Sequence, residues 1–206
     1  MQAESGPGGL AGWGLSVMDV LGAPGAGLLI AAENLFPPLP SEVFLPLAGF
    51  AAGQGRISLV SALVFTTLGS VLGALALYWL GVKLGTERLQ ALAKRLPLFR
   101  ESDVDKANAF FDRHGGKAVL LGRMLPVFRS LISIPAGVNR MPVWKFAGLT
   151  LLGSAVWNSL FVLAGYLLGD NWHRIEPYSA VFEYTVLGIA VAAVAWFTVK
   201  RLRHRG

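Results

Sequence analysis

Four charged residues stand where so apolar a chain has no cheap place for them: Glu33, Glu42, Arg123 and Arg129. The acids bracket Glu33-Asn-Leu-Phe-Pro-Pro-Leu-Pro-Ser-Glu42, and the arginines bracket Arg123-Met-Leu-Pro-Val-Phe-Arg129. At membrane depth each charge costs roughly 2.5–3.5 kcal/mol, so four left unpaired would cost ~10–14 kcal/mol, as much as a domain's whole stability. They must pair, face water or bind something. On an unbroken helix Arg123 and Arg129 would lie roughly 120° apart. Pro126 between them breaks the hydrogen-bond ladder and lets both guanidiniums turn toward one ligand. Two arginine forks beside freed backbone N–H groups suit a phosphate, which accepts bidentate bonds. Glu33 and Glu42 then suit proton coupling, because an acid in apolar surroundings can cycle between charge states. Two buried ion pairs that hold the chain together are the plainer use of the same residues.

The rest of the sequence says what must position these groups. Of 206 residues, 54% are hydrophobic and only 15% charged, and the mean hydropathy is +0.56. That composition, gathered in long runs, predicts an integral membrane protein. With no cysteine, disulfides, thiolate chemistry and Cys-ligated metals are excluded. The net charge of +6 resolves by position. Apart from Arg123 and Arg129, ten bases from Lys83 to Lys145, with four from Lys200 to Arg205, mark loops and a tail expected on the cytoplasmic side. The tail reads as a topology anchor that also attracts anionic headgroups, with no nucleic-acid partner. Arg56 is the first base, so no signal peptide is expected.

Along the chain, residues 1–14 are Gly-rich and expected to be loose. Residues 15–32 form an apolar run broken by Gly22, Pro24 and Gly25, which predicts a short or kinked helix. The stretch 43–53 is too short to span. Residues 57–82 carry no charge over ~39 Å of helix, enough to cross a bilayer. Residues 86–117 predict two amphipathic cytoplasmic helices: one with Leu89, Leu92, Ala93 and Leu96 on its apolar face and ended by Pro97, one capped by Ser102, buried through Ala107, Phe110 and Phe111, and stopped at Gly115-Gly116. Residues 146–169 and 180–199 predict two further spanning helices, joined by an interfacial loop over 170–177.

The chain also repeats itself. Leu68-Gly-Ser, Gly81 and Gly85 recur as Leu152-Gly-Ser, Gly165 and Gly169, offset by 84; Pro38 and Ala48-Gly49 recur as Pro126 and Ala136-Gly137, offset by 88. Each copy is a Pro-broken short segment followed by a spanning helix. If the broken segment enters and leaves on one face, the second copy starts on the opposite face, which predicts an inverted repeat with a binding site at the midplane. The hairpin-forming residues are then Pro38, Pro40 and Gly49 in the first copy and Pro126, Pro135 and Gly137 in the second. The fold class is all-α: a polytopic membrane domain over 15–206, with an N-terminal helix and first repeat (15–85), amphipathic linker (86–117), second repeat (118–170), C-terminal span (180–199) and basic tail (200–206). The small-xxx-small pairs Gly69/Gly73, Gly81/Gly85 and Gly165/Gly169 predict close packing within the chain and leave a homodimer open.

No Gly-x-Ser-x-Gly, His-Glu-x-x-His or Gly-x-x-x-x-Gly-Lys motif is present. His114, His173 and His204 are scattered, so no metal site is expected. An intramembrane phosphatase is disfavoured because no nucleophile accompanies the arginines.

At these residues the chain resembles the DedA family, also described by its SNARE-associated or VTT domain. The resemblance is carried by Glu33-Asn-Leu-Phe-Pro-Pro-Leu-Pro-Ser-Glu42, by Phe111-Asp-Arg-His-Gly115, and by Gly122-Arg-Met-Leu-Pro-Val-Phe-Arg-Ser130 followed by Pro135-Ala-Gly137; it covers residues 33 to about 170. Met124 departs from it, where the family more often has an aromatic. The resemblance implies a bacterial inner-membrane protein with two opposed re-entrant hairpins and a cytoplasmic C-terminus. It implies lipid translocation, of undecaprenyl phosphate or phosphatidylethanolamine, or a part in proton-motive-force maintenance and drug tolerance. It places essential acids at Glu33 and Glu42 and essential arginines at Arg123 and Arg129. Two classes of function stay open: a flippase for a phosphate-bearing lipid, driven by the proton gradient without a cofactor, and a proton-coupled exporter of small solutes. A membrane-organising protein without transport is a third.

Overall fold

The computed structural model describes residues 9–36, 41–95, 101–124 and 128–168. Among the described residues all regular structure is helical: α1 Gly9–Leu21, α2 Ala23–Leu35, α3 Ser41–Gly53, α4 Leu59–Arg95, α5 Glu101–Gly122, α6 Phe128–Leu131, α7 Ser133–Val138 and α8 Val143–Leu168. Pro38, Pro40, Pro126, the 170–177 loop, the expected span at 180–199 and the basic tail lie outside them, as do the side chains of Leu89, Leu92, Ser102, Ala107 and Phe110.

The expected break in the first apolar run falls at Gly22, whose φ of 64° separates α1 from α2 while Pro24 sits in the first turn of α2. Proline is tolerated there because its missing N–H would have had no helical partner. Two helices are long and apolar enough to cross a membrane, Leu59–Arg88 within α4 and Val143–Leu168. Both show large apolar side chains outward at helical spacing: Val60, Val64, Leu68 and Leu72 on α4, and Leu152, Val156, Leu160, Leu163 and Leu167 on α8. Their inward faces are small or polar, with Thr66, Gly69, Ser70, Gly73 and Ala74 on α4 and Thr150, Gly153, Ser154 and Asn158 on α8. That is the reverse of a water-soluble helix, and it suits a lipid solvent.

Two glycines break the helical path where boundaries were expected. Gly85, at φ 63° and ψ 178°, separates the spanning part of α4 from the first amphipathic segment. Gly115, expected as a stop, takes φ 45° and ends the first part of α5, and a second helical stretch runs from it to Gly122. A left-handed residue reverses the local path, and the chain resumes its helix when the next segment has a face to bury. Here Ala118 and Val119 provide it, packed with Phe111, Tyr78, Met141 and Phe146.

Asn158 Nδ2 bonds Ser70 Oγ, while Phe146 stacks on Tyr78 with ring centroids 4.9 Å apart. Going up α4 therefore means going down α8, and the two run antiparallel. The short helices pack crosswise on this pair, α3 against α8 and α7 against α4. Both contacts rest on glycine. A Cβ on Gly49 would run into the Val162 carbonyl and lie 2.7 Å from Tyr166 N; a Cβ on Gly137 would run into the Tyr78 carbonyl and lie 3.0 Å from Val82 N. Gly165 meets the Pro46 carbonyl as Gly81 meets that of Ile134. The partners of one set are the partners of the other shifted by the same 84 and 88 residues that relate the sequences. The small-xxx-small positions Gly69, Gly73, Gly81 and Gly165 all face neighbours within the chain.

Candidate functional site

The charged residues singled out by cost do not spread through the molecule. Arg129, on α6, is 3% exposed, and its Nη2 donates to Glu33 Oε2 on α2, itself 5% exposed. Arg123, in the turn after α5, is 2% exposed and lies near enough to Arg129 and Glu33 for both charges to act on it. Its Nη2 donates to Ser133 Oγ at 2.9 Å, and its guanidinium carbon stands 5.9 Å from the centre of the Phe146 ring. A hydroxyl and a ring face orient a guanidinium without neutralising it. Nε of Arg123 and Nε of Arg129 are buried without a hydrogen-bond partner among the described residues.

Local structure explains the placement. The kink at Gly115 redirects α5 so that its last turn lies on α8, where Gly153 leaves room for the Arg123 stem; a Cβ there would come within 2.8 Å of Arg123 Cβ. α6 is a single turn and α7 less than two, and Pro135 is tolerated in the first turn of α7. A longer helix could not bring Arg129 and Ser133 back to α2 and α5 within so few residues.

Glu42 lies in the first turn of α3, is half-buried, and has no ion-pair partner among the described residues. Three of the four expected residues, Glu33, Arg123 and Arg129, form one cluster. Pro135 and Gly137 sit in α7, and Gly49 sits in α3. Charge counting missed the neutral neighbours: Asn34, Ser70, Ser130, Ser133, Asn158 and the ring of Phe146. The signal that finds them is a buried polar side chain in an otherwise apolar helix.

The cluster lies near mid-length of the two long helices. Ser70, bonded to residues on both sides of it, is 11 positions into α4, or ~16 Å from Leu59, and ~21 Å from Leu84 before the Gly85 kink. Asn158 lies ~22 Å from the start of α8 and ~15 Å from its end. With a hydrocarbon core of about 30 Å, the charges fall near the middle of both apolar helices.

Residues 39–167 match the VTT domain, a span that holds Glu42, Arg123, Arg129, the short helices and both long ones. The chain belongs to the VTT-domain family. Like its DedA relatives it is a membrane protein. Relatives of this VTT-domain chain include an alkaline phosphatase-like protein of Lactococcus lactis subsp. lactis, 39% identical with 91% of each chain covered. Undecaprenyl phosphate transporter A of Staphylococcus aureus is 32% identical, with 86% of this chain and 89% of that one covered. Protein DedA of Escherichia coli K12 is 26% identical over 82% of this chain and 75% of that one. No solved structure matches.

Proposed function

We propose that this protein carries a phosphate-bearing lipid of the polyprenyl phosphate class, such as undecaprenyl phosphate, across the bacterial inner membrane, holding the phosphate on Arg123 and Arg129. The observation that carries this reading is a charge imbalance. Among the described residues, two buried guanidiniums stand near one carboxylate, which pairs with Arg129 alone, at the middle of two apolar helices. One positive charge is left over in a low-dielectric place, and an anion is what relieves it. A phosphate monoester brings ≈ −1.5 to −2 charge and three acceptor oxygens, matched to the unpartnered N–H groups of both arginines. The S. aureus relative's name points to the same lipid.

The crosswise glycine contacts and antiparallel long helices support an inverted repeat, with α2 to α4 as one unit and the end of α5 to α8 as the other. In such a carrier the loops opening from α2–α3 and from α5–α7 form two opposed hairpins, and alternating access exposes the central arginines first to one face, then to the other. The basic loops and tail support a cytoplasmic C-terminus, by the positive-inside rule. No bond of the lipid is broken, so the protein works as a carrier and not as an enzyme.

Glu33 supplies the coupling. Its carboxylate and the phosphate compete for the same Arg129 fork. When Glu33 is charged, Arg129 is occupied; when Glu33 takes a proton, Arg129 is released to the phosphate. Proton and phosphate therefore bind together and travel together, and the proton gradient drives the lipid without a cofactor. Glu42, half-buried in the first turn of α3, is the second acid we assign to passing the proton.

Reconstitution in liposomes tests the reading. Labelled polyprenyl phosphate should change leaflets faster than in empty liposomes. Faster movement of phosphatidylethanolamine instead would give a general phospholipid carrier, and proton-dependent flux of a small cation with no lipid movement would give the exporter.

A further inference from the structure

A second bond joins the two helices that carry the ion pair. Asn34 follows Glu33 on α2, and Ser130 follows Arg129 on α6; Ser130 Oγ donates to Asn34 Oδ1 at 3.1 Å. Asn34 Nδ2 donates to the Ile30 carbonyl at 3.1 Å and reaches the Ser70 carbonyl on α4 at 3.5 Å. The Ser70 hydroxyl in turn accepts from Asn158 Nδ2 on α8 at 3.0 Å. All four side chains are buried. A thread of neutral polar groups thus runs from the middle of α8, through α4, to the residues flanking Glu33 and Arg129.

Asn158 is the one amide of α8, and its Oδ1 has no partner among the described residues. A buried amide held one bond short is a poor stabiliser, since the unmade bond costs about as much as a made one contributes. Its value lies in where it holds Ser70. We infer that Asn158 is a positioning residue for the Glu33–Arg129 pair, acting through Ser70 and Asn34: by fixing α4 against α8 it sets the carbonyl that locates the tip of α2, and so the distance at which Glu33 meets Arg129. The charges facing Glu33 among the described residues are Arg129, in contact, and Arg123, close by; the stretch of α4 around Ser70 contributes none, since residues 57–82 are uncharged. The use of this control rests on the carrier reading, but its test does not.

The test is an infrared titration of the purified protein in lipid nanodiscs, with Glu33→Gln assigning the Glu33 carboxyl band. Ser70→Ala and Asn158→Leu each remove one end of the link without adding a heavy atom. Each should move the midpoint of Glu33 protonation upward by roughly half a pH unit, the size a modest hydrogen bond carries, because a less well-placed Arg129 favours the carboxylate less. The double variant should shift no further than Asn158→Leu alone, as expected for two ends of one contact. An unchanged midpoint in Ser70→Ala, or shifts that add, overturns the inference. Should Asn158→Leu fail to insert, the Ser70→Ala midpoint decides by itself. Polyprenyl phosphate flux on the same samples keeps the two claims apart: no flux in the wild-type protein contradicts the carrier, while the infrared midpoints still decide the role of Asn158.

Discussion

Glu33 and Arg129, 96 residues apart in the chain, meet as a buried ion pair at the middle of two apolar helices, and Arg123 stands beside them without a carboxylate of its own among the described residues. The pair explains how the chain tolerates charge at that depth. The residual guanidinium explains why the arrangement reads as a binding site.

Breaking the pair from one side should be costly. Arg129→Ala leaves a buried carboxylate and should destabilise by about 3–5 kcal/mol, seen as a lower denaturation midpoint in detergent. The loss should shrink in acid, where Glu33 takes a proton and no longer needs a partner. A double Glu33→Gln, Arg129→Gln chain should be more stable than Arg129→Ala alone. Equal loss at all pH values would mean that the carboxylate is solvated.

The glycine crossings make a paired prediction. Gly137→Ala drives a methyl into the Tyr78 backbone and Gly49→Ala drives one into that of Val162, where neither backbone can yield cheaply. Each should cost about 1–3 kcal/mol. Gly148→Ala, on the long helix α8 with open space around it, should be neutral or stabilise by up to about 1 kcal/mol. Thermal unfolding of the three variants checks this, and a Gly137→Ala chain as stable as Gly148→Ala would remove the crosswise packing.

Much of this was legible in the sequence because the relevant signals are large. Four charges in apolar runs cost too much to be incidental, and an 84- and 88-residue echo of glycines and prolines survives in plain view. Two kinds of feature were not legible. Asn34, Ser70 and Asn158 are neutral, and a serine or asparagine among glycines and alanines looks like ordinary close packing; only their burial and mutual bonds set them apart. Gly85 and Gly115 were legible as helix breaks, but the helical stretch from Gly115 to Gly122 was not, because whether a helix starts again depends on what the next turn can bury. That depends on contacts distant in sequence, as does the pairing of α3 with α8.

Ser133 and Phe146 orient Arg123 without neutralising it. Ser133→Ala removes its one side-chain hydrogen bond among the described residues, and should weaken polyprenyl phosphate binding roughly tenfold, the size of one charge-assisted bond. Phe146→Leu should weaken it less, in keeping with a ring 5.9 Å away. Equilibrium binding of a short-chain polyprenyl phosphate separates the two. Unchanged affinity in Ser133→Ala would detach Arg123 from the ligand.

Competition for Arg129 gives the sign of the pH dependence. Phosphate binding should tighten as pH falls, so long as the phosphate keeps a negative charge, because a protonated Glu33 surrenders the fork. Glu33→Gln should flatten that profile and bind at alkaline pH as the wild-type protein does in acid. Affinity that rises with pH would reverse the coupling.

The central claim is that two buried arginines hold the phosphate, and one measurement reaches it most directly: equilibrium binding of short-chain polyprenyl phosphate to the purified protein and to Arg123→Gln and Arg129→Gln. Each variant should lose at least about tenfold in affinity, a difference of ~1.4 kcal/mol, while the dephosphorylated polyprenol binds all three proteins alike. Undiminished phosphate binding by both folded variants would contradict the account.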